Sequence, residues 1–436
     1  MKDMELLNSS EGQMVLARMY GQQQVFEQTS RYQSLIQAYQ EHFGVGDIEL
    51  FSAPGRCEIG GNHTDHNHGK VLAGSITLDT IAVAAKVEES VITFFSEGYQ
   101  TKYVIDLNDL APKPEDDGTM LLIRGIAAGL LEFGYRIGGF QAYISSNVFS
   151  ASGLSSSASF EMLICTILNH FYNEGALDTV AKSKIGQYAE NVYWNKPSGL
   201  LDQMACAYGG LISIDFENPK EPIINPVHWN FEQNGYSLVI VYTGGNHADL
   251  TDDYAAVPNE MRAVAQSLGA SVCRDLMPEN LYANLKMVRE KAGDRAVLRA
   301  LHFFEENKRV DEQVKSLEEG RFSDFLKLVT ESGNSSWKWL QNVYRSGIDR
   351  EQDVSVALAL TEMYLKSIGD SACRVHGGGF AGVILTILPN DHVDDYKEWI
   401  SGMLGTPVLV VNVREDGAVN VSELINAERT RSKCTN

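Results

Sequence analysis

Several kinds of architecture are excluded by what this chain lacks. Only 11 of its 436 residues are proline, and no segment is repeated or low in complexity. That sets aside collagen-like, Pro-rich and solenoid organisations. The six cysteines (Cys57, Cys165, Cys206, Cys273, Cys373, Cys434) show no CxxC spacing. In a chain of this size they read as reduced, mostly buried thiols of a cytosolic protein. No apolar run is long enough to span a bilayer, and the N-terminal MKDMELLNSSEGQMVLARMYG has no apolar core of a signal peptide. A soluble, cytoplasmic protein is expected. Positive charge is also short, with 36 basic against 57 acidic side chains and a net charge of −21. This argues against wholesale binding to nucleic acid or to an anionic membrane, while leaving room for a small, locally positive site.

What is present is ordinary globular composition, 44% hydrophobic and 21% charged, at a length that favours two closely packed domains. Residues up to about 44 read as polar helix, with Tyr32, Leu35, Ile36 and Tyr39 at helical spacing. IELFSAP, GKVLAGSITLDTIAVAAKV, SVITFFSE, GFQAYISSNV, GLISIDF and YSLVIVYT read as strands, and MLLIRGIAAGLLEFGY as an amphipathic helix. From Asp249 the chain turns helical, then returns to mixed structure with FAGVILTIL and PVLVVNV as strands around the helix DYKEWISGML. The proline-bearing ENPKEPIINPVHWNFEQNG reads as the boundary between domains.

Four stretches carry chemistry. PGRCEIGGNHTDHNHG (54–69) mixes glycines, three histidines, an arginine and two acids, which fits a metal site, a substrate clamp or a decorated turn. SASGLSSSASFEML puts small residues before an apolar helix, where unsatisfied N–H groups and the helix dipole favour a phosphate. A serine-capped helix with no ligand reads the same residues equally simply. CRVHGGGFAGVIL sets Gly377, Gly378 and Gly379 before a strand, a run that needs positive φ or a close backbone neighbour. AENVYWNKPSGLLDQMACAYGG contains Glu190 at a helix end and Asp202 among apolar residues, either a helix cap or a functional carboxylate.

Taken together and in order, these stretches resemble the GHMP small-molecule kinases, and within them the galactokinase family. GRCEIGGNHTDHNHG aligns without a gap to the motif GRVNxIGEHTDYxxG, ASGLSSSA to GxGLSSSA, GLLDQ to GxxDQ, and GGGFAG to the glycine-rich third motif. RALHFFEENKRV is similar as well, and the resemblance spans roughly residues 40 to 425. It implies an α+β fold of two domains, an N-terminal ribosomal-S5-like domain (41–228) and a ferredoxin-like C-terminal domain (229–436), after a helical extension (1–40). The implied reaction moves the γ-phosphoryl of ATP, with Mg²⁺, to the anomeric hydroxyl of galactose in a monomer or weak homodimer.

Residue by residue, the resemblance makes Asp202 the base and Arg56 its electrostatic partner. Asn62, His63, Asp65 and Tyr254, with Arg56 and Asp202, would bind the sugar. Ser152, Gly153, Leu154, Ser155, Ser156, Ser157 and Ala158 would meet the nucleotide, and Ser157 with Glu190 would hold the metal. His66 then reads as a sugar-site or packing residue and His68 as solvent-facing.

The sequence departs from the family at Asn62, where a glutamate is usual, at His66 for tyrosine, at Ala151 and Ser152 for glycines, at Phe149 for proline, and at Ala381 for glycine. A glutamate near C6 of the sugar repels a carboxylate, whereas asparagine can donate to one. Galacturonate 1-kinases share that loss and the Asp-His pair, so hexuronate is the alternative substrate. Galactose sensors that bind sugar and ATP without catalysis are the alternative outside the enzymes.

Overall fold

The computed structural model describes residues 2–148, 153–196, 198–245 and 250–434, and among these the strands form two sheets. The first contains β1 (Glu49–Gly60), β2 (Lys70–Lys86), β3 (Val91–Ser96), β4 (Lys102–Asp106), β5 (Phe140–Ser146), β6 (Leu211–Asp215) and β7 (Ile223–Val227). The second contains β8 (Tyr236–Tyr242), β9 (Ala372–His376), β10 (Val383–Pro389) and β11 (Val408–Val411), and the short β12 (Val419–Asn420) returns to the first. The first sheet runs β12-β1-β2-β5-β3-β4, with β6 on residues 70–74 of β2 and β7 outside it. Only β3 and β5 are parallel among its pairs. The second runs β11-β8-β10-β9, all antiparallel, with helix Val393–Leu404 between β10 and β11 and a helical block between β8 and β9. That strand order is the split β-α-β of ferredoxin-like domains.

Alternation along β2 explains how the first sheet is covered. Ala82 and Ala84 face the helices Gly118–Glu132 and Ser156–Asn173, while Ile81, Val83 and Ala85 face the N-terminal helices Ser10–Tyr20 and Val25–Phe43. Tyr32, Leu35, Ile36 and Tyr39 are buried there, as their spacing predicts. The N-terminal helices are therefore the second layer of this sheet. The C-terminal helix Val421–Cys434 joins them through Val421 and Ile425.

One buried carboxylate ties these parts together. Asp79 on β2 accepts from Arg31 (2.6 Å), Arg414 (2.9 Å) and Tyr20 (2.6 Å), and from Ser52 on β1. Burial works against its charge, but Arg31, Arg414 and the two hydroxyls outweigh burial and hold Asp79 below the usual aspartate range.

Between the sheets lies one continuous apolar core: Cys57, Ile59, Leu72 and Leu154 pack with Leu238, Leu385 and Val329. Buried Arg374 of β9 crosses it, donating to Ile59 O (2.7 Å) and Glu58 Oε1 (3.1 Å). This contact brings the glycine-rich turn after β9 against β1.

Two elements differ from the sequence expectation. β1 does not stop at Pro54 but runs through the motif to Gly60, because register shifts at Pro54/Arg56 and Glu58/Gly60 absorb the missing N–H and the bends. The proline-bearing boundary is partly a strand: β7 pairs along β6, with Pro226 opposite Ile212 on an outer edge where a proline is tolerated. Among the described residues no helix is long and apolar enough to cross a membrane. Among the described residues, Cys57, Cys165, Cys206, Cys273 and Cys373 are free and buried.

Candidate active site

Helix Ser156–Asn173 begins at Ser155, whose backbone is left-handed (φ 62°) and whose hydroxyl caps nothing. Instead Ser155 Oγ donates to Asp202 Oδ2 at 2.6 Å. The plain serine-cap reading therefore fails, and the first-turn N–H groups are left available to an anion. Asp202 sits in the first turn of helix Leu201–Tyr208, whose N-cap position is Leu200, so it is not a cap either.

Arg56 donates from Nε to Asp202 Oδ1 at 2.8 Å and from a second nitrogen to Gly153 O. Its guanidinium is almost wholly enclosed, whereas the Asp202 side chain keeps 33% exposure. Burial disfavours the Asp202 charge, but Arg56, the Ser155 hydroxyl and Lys196 together hold its carboxyl below the ordinary aspartate value. The result is a carboxylate ionised at neutral pH, oriented by two donors, with one edge facing solvent.

The glycine run lies beside this cluster, where a Cβ at Gly377 would come 3.4 Å from Gly153 O and 3.9 Å from the Arg56 guanidinium. Gly377 and Gly379 have positive φ (68° and 76°). At Gly378 the constraint is space, since a Cβ there would lie 2.5 Å from the Tyr254 ring. Tyr254 donates to Gly379 O at 3.1 Å, and His63 Nε2 lies 2.9 Å from Gly378 O. A carbonyl accepts only, so His63 carries its proton on Nε2. Burial and the adjacent His66 lower its pKa to about 4, so the ring is neutral at pH 7. Burial, then Asp253, pushes the Tyr254 phenol up to about 12.

Asp65 opens the turn Asp65–Asn67 within the motif, accepting from its neighbour His66 N at 3.0 Å. It lies against the backbone of Gly199, where an added Cβ would be 1.8 Å from Asp65 Oδ2. Gly199→Ala is expected to spare the fold, because a carboxylate tip can move. It should cut kcat/KM for the sugar by about tenfold to a hundredfold through that displacement. Steady-state kinetics at saturating ATP reads this, and an unchanged kcat/KM would count against Asp65 as a sugar ligand.

Ser157 and Glu190 also meet: Ser157 Oγ donates to Glu190 Oε1 at 2.8 Å. Glu190 is buried on a π-helical turn, Ala189–Tyr193, that follows helix Thr179–Tyr188. Such turns aim a side chain that a regular helix would carry past the site. The donor set is hard oxygen and suits a divalent cation that also takes phosphate oxygens.

Two expectations are corrected, at Asn62 and at His68. Asn62 is fully buried, with its amide donating to Glu58 Oε1 and Gly377 O (both 2.8 Å) and its oxygen accepting from Asn342 (2.8 Å) and Ser336 (3.3 Å). It has no capacity left for a sugar, and pins the motif to the glycine turn instead. Leu154 and Ala158 turn their side chains into the apolar cores, so only their main chain can face a nucleotide. His68 is partly buried rather than solvent-facing, at the left-handed end (φ 63°) of the turn Asp65–Asn67. Ser152, with Phe149 and Ala151, lies outside the described residues. The three histidines form no metal cluster among the described residues.

Sequence reasoning missed Lys196, Glu161, Gln203 and Gly199. Lys196, Gly199 and Gln203 lie in the quoted stretch around Asp202; a lysine six residues after an expected metal-binding glutamate was the available signal.

Comparisons with known proteins fit this geometry. Residues 37–86 match the galactokinase galactose-binding signature and residues 121–210 the GHMP kinases N terminal domain. A galactokinase of Clostridium perfringens is 31% identical over 364 residues, covering 81% of this chain and 89% of that protein. The chain belongs to the galactokinase family. A second galactokinase relative, from Lactococcus lactis, is 29% identical over 86% of this chain and 92% of its own length. The crystal structure of Lactococcus lactis galactokinase complexed with galactose superposes with TM-score 0.77 at 26% identity, covering 89% of this chain and all of that one. Methanococcus jannaschii mevalonate kinase (TM-score 0.58, 16% identity, 84% of this chain and 99% of its own) shares the GHMP kinase fold. This galactokinase-family chain is thus an ATP-using enzyme with that fold.

Proposed function

We propose that this enzyme transfers the γ-phosphoryl of ATP to the anomeric hydroxyl of galactose, releasing galactose 1-phosphate and ADP. The observation that carries the reading is the Arg56–Asp202–Ser155 cluster, set at an uncapped helix N-terminus, with the glycine turn that His63 and Tyr254 contact lying beside Arg56 and with Asp65 against Gly199. Phosphoryl transfer asks for positioning and charge stabilisation more than for covalent chemistry.

Asp202 accepts the proton of the C1 hydroxyl as the bond from O1 to the γ-phosphorus forms and the bond to the ADP oxygen breaks. Arg56 keeps Asp202 ionised before the transfer. The N–H groups of the 155–158 turn hold phosphate oxygens, and Asp65 with His63 orients the ring hydroxyls. Ser157 and Glu190 would hold Mg²⁺, which when bound neutralises charge on the phosphates. The surroundings proposed are the cytoplasm and a monomer or weak homodimer, which light scattering of the purified chain checks.

No observation favours the hexuronate reading, since the Asn62 amide is spent inside the protein. Nor does one favour a sensor, since Arg56, Asp202 and Ser155 are all engaged with one another. The test is ATP consumption with galactose, N-acetylgalactosamine, galacturonate, arabinose and glucose at equal concentration. Galactose should give the highest kcat/KM; a preference for galacturonate would overturn the substrate, and no turnover with any sugar would overturn the activity.

A further inference from the structure

The two residues read as metal ligands already share a cation. The Lys196 ammonium pairs with Glu190 Oε1 and lies 3.1 Å from Ser157 Oγ. The backbone delivers it there: Asn195 adopts a left-handed conformation (φ 55°), and Lys196 N donates to Glu190 O at 2.9 Å. The segment is thus tied to Glu190 by main chain and side chain together.

Behind Glu190 lies a closed polar layer. Gln203 Nε2 donates to Glu190 Oε2 at 3.2 Å and to Glu161 Oε2 at 3.0 Å. Glu161 and Gln203 are fully buried, and each has a side-chain oxygen that no donor reaches. One carboxylate and one hydroxyl gathered on one ammonium, with the Glu161 and Gln203 oxygens unsatisfied behind them, offer more oxygen coordination than a lysine can use. The partners also differ in mobility. Glu190 keeps 2% exposure of its side chain and Lys196 keeps 46%, so the lysine can withdraw into water and the glutamate cannot.

We propose that Lys196 is a tethered counter-ion that competes with the divalent cation for Glu190 and Ser157, and that on displacement it serves the ATP phosphates at the head of helix Ser156–Asn173. The proposal rests on reading Ser157 and Glu190 as the metal ligands. A bare metal ion must then expel an ammonium into water and binds weakly. With ATP present, the expelled ammonium gains phosphate oxygens, so metal and nucleotide favour each other through one side chain. Lys196 acts here as a phosphate-binding and positioning residue rather than as an acid or base.

The test titrates the full chain with Mn²⁺, followed by electron paramagnetic resonance without nucleotide, in the parent, Lys196→Met, Lys196→Arg, Glu190→Gln and the Lys196→Met/Glu190→Gln double variant. Lys196→Met should bind Mn²⁺ roughly fivefold tighter or more, the factor given by losing an ion pair worth about 1 kcal/mol. Lys196→Arg, which keeps the charge, should bind like the parent, and Glu190→Gln should weaken Mn²⁺ binding in both backgrounds. Calorimetry with a non-hydrolysable ATP analogue plus Mn²⁺ should show weaker nucleotide binding in Lys196→Met. If Lys196→Met binds Mn²⁺ no tighter while Glu190→Gln still weakens binding, the competition is overturned and the ligand assignment stands. If Glu190→Gln changes Mn²⁺ binding in neither background, the ligand assignment itself falls, and the proposal with it.

Discussion

Asp202→Asn should lower kcat by about 10²–10⁴-fold, the range lost when a positioned general base is removed, while the affinity for a non-hydrolysable ATP analogue persists. Asparagine keeps the volume and can still accept from one of the two donors, Arg56 or Ser155. It has no charge to receive the hydroxyl proton, and it strands the enclosed Arg56 guanidinium without its counter-charge. Equal turnover by Asp202→Asn and the parent would end the assigned mechanism. Arg56→Ala supplies the pH counterpart. In the parent, burial raises the Asp202 pKa but Arg56 leads the groups that pull it below its ordinary value. The base form therefore survives to low pH and is lost only as pH falls through that depressed value. Without the arginine the burial contribution dominates, so the acid limb of kcat/KM should move to higher pH. A profile that superimposes on the parent's would show that Arg56 does not set the ionisation of Asp202.

The second large effect concerns stability. Asp79→Asn should destabilise the fold by about 3–5 kcal/mol, because it leaves buried arginine charge uncompensated. Arg414 is fully enclosed and spends its guanidinium on Asp79, Ser52 and Gly417 O. Arg31 has one partner fewer as well. The sign with pH follows the same logic: the Asp79 pKa is depressed in the folded state, so its contribution is complete above the unfolded value and fades as pH falls through the folded one. Urea unfolding at pH 7 should show a lower midpoint in the variant, with the gap narrowing toward acid. A midpoint equal to the parent's would mean that the N-terminal helices are not anchored through this carboxylate.

That anchor shows where reading the sequence runs out. The helical spacing of Tyr32, Leu35, Ile36 and Tyr39 announces a helix with one apolar face, and the structure has it. Nothing in that spacing says what the face covers. The answer is β2, and the same layer is completed by a helix beginning at Val421, at the other end of the chain. Likewise Pro54 reads as the end of a strand until the bulges in its pairing with β2 are seen. The prolines after residue 217 read as a boundary until Ile223–Val227 is found paired on a sheet edge.

Through its resemblance to the galactokinase family, the sequence by itself determined the reaction class and named the groups proposed to serve it: Arg56, Asp202, the serines 155–157, Glu190 and the glycine run. These were legible because each motif is local and the motifs stand in the family's order, whereas singly a capped helix or a plain turn accounts for the same residues. Only the tertiary structure decided which polar residues gather around Asp202 and which are consumed inside. Asn62, read as the residue nearest the substrate's identity, binds Asn342, 280 positions away, and keeps no hydrogen bond for a ligand. Lys196, unremarked in the sequence, sits on the Glu190 and Ser157 oxygens because a left-handed turn brings it back to Glu190. The physical reason is the same in both cases. A side chain's chemistry is written in its own structure, but whether that chemistry is free depends on partners that only folding brings within 3 Å.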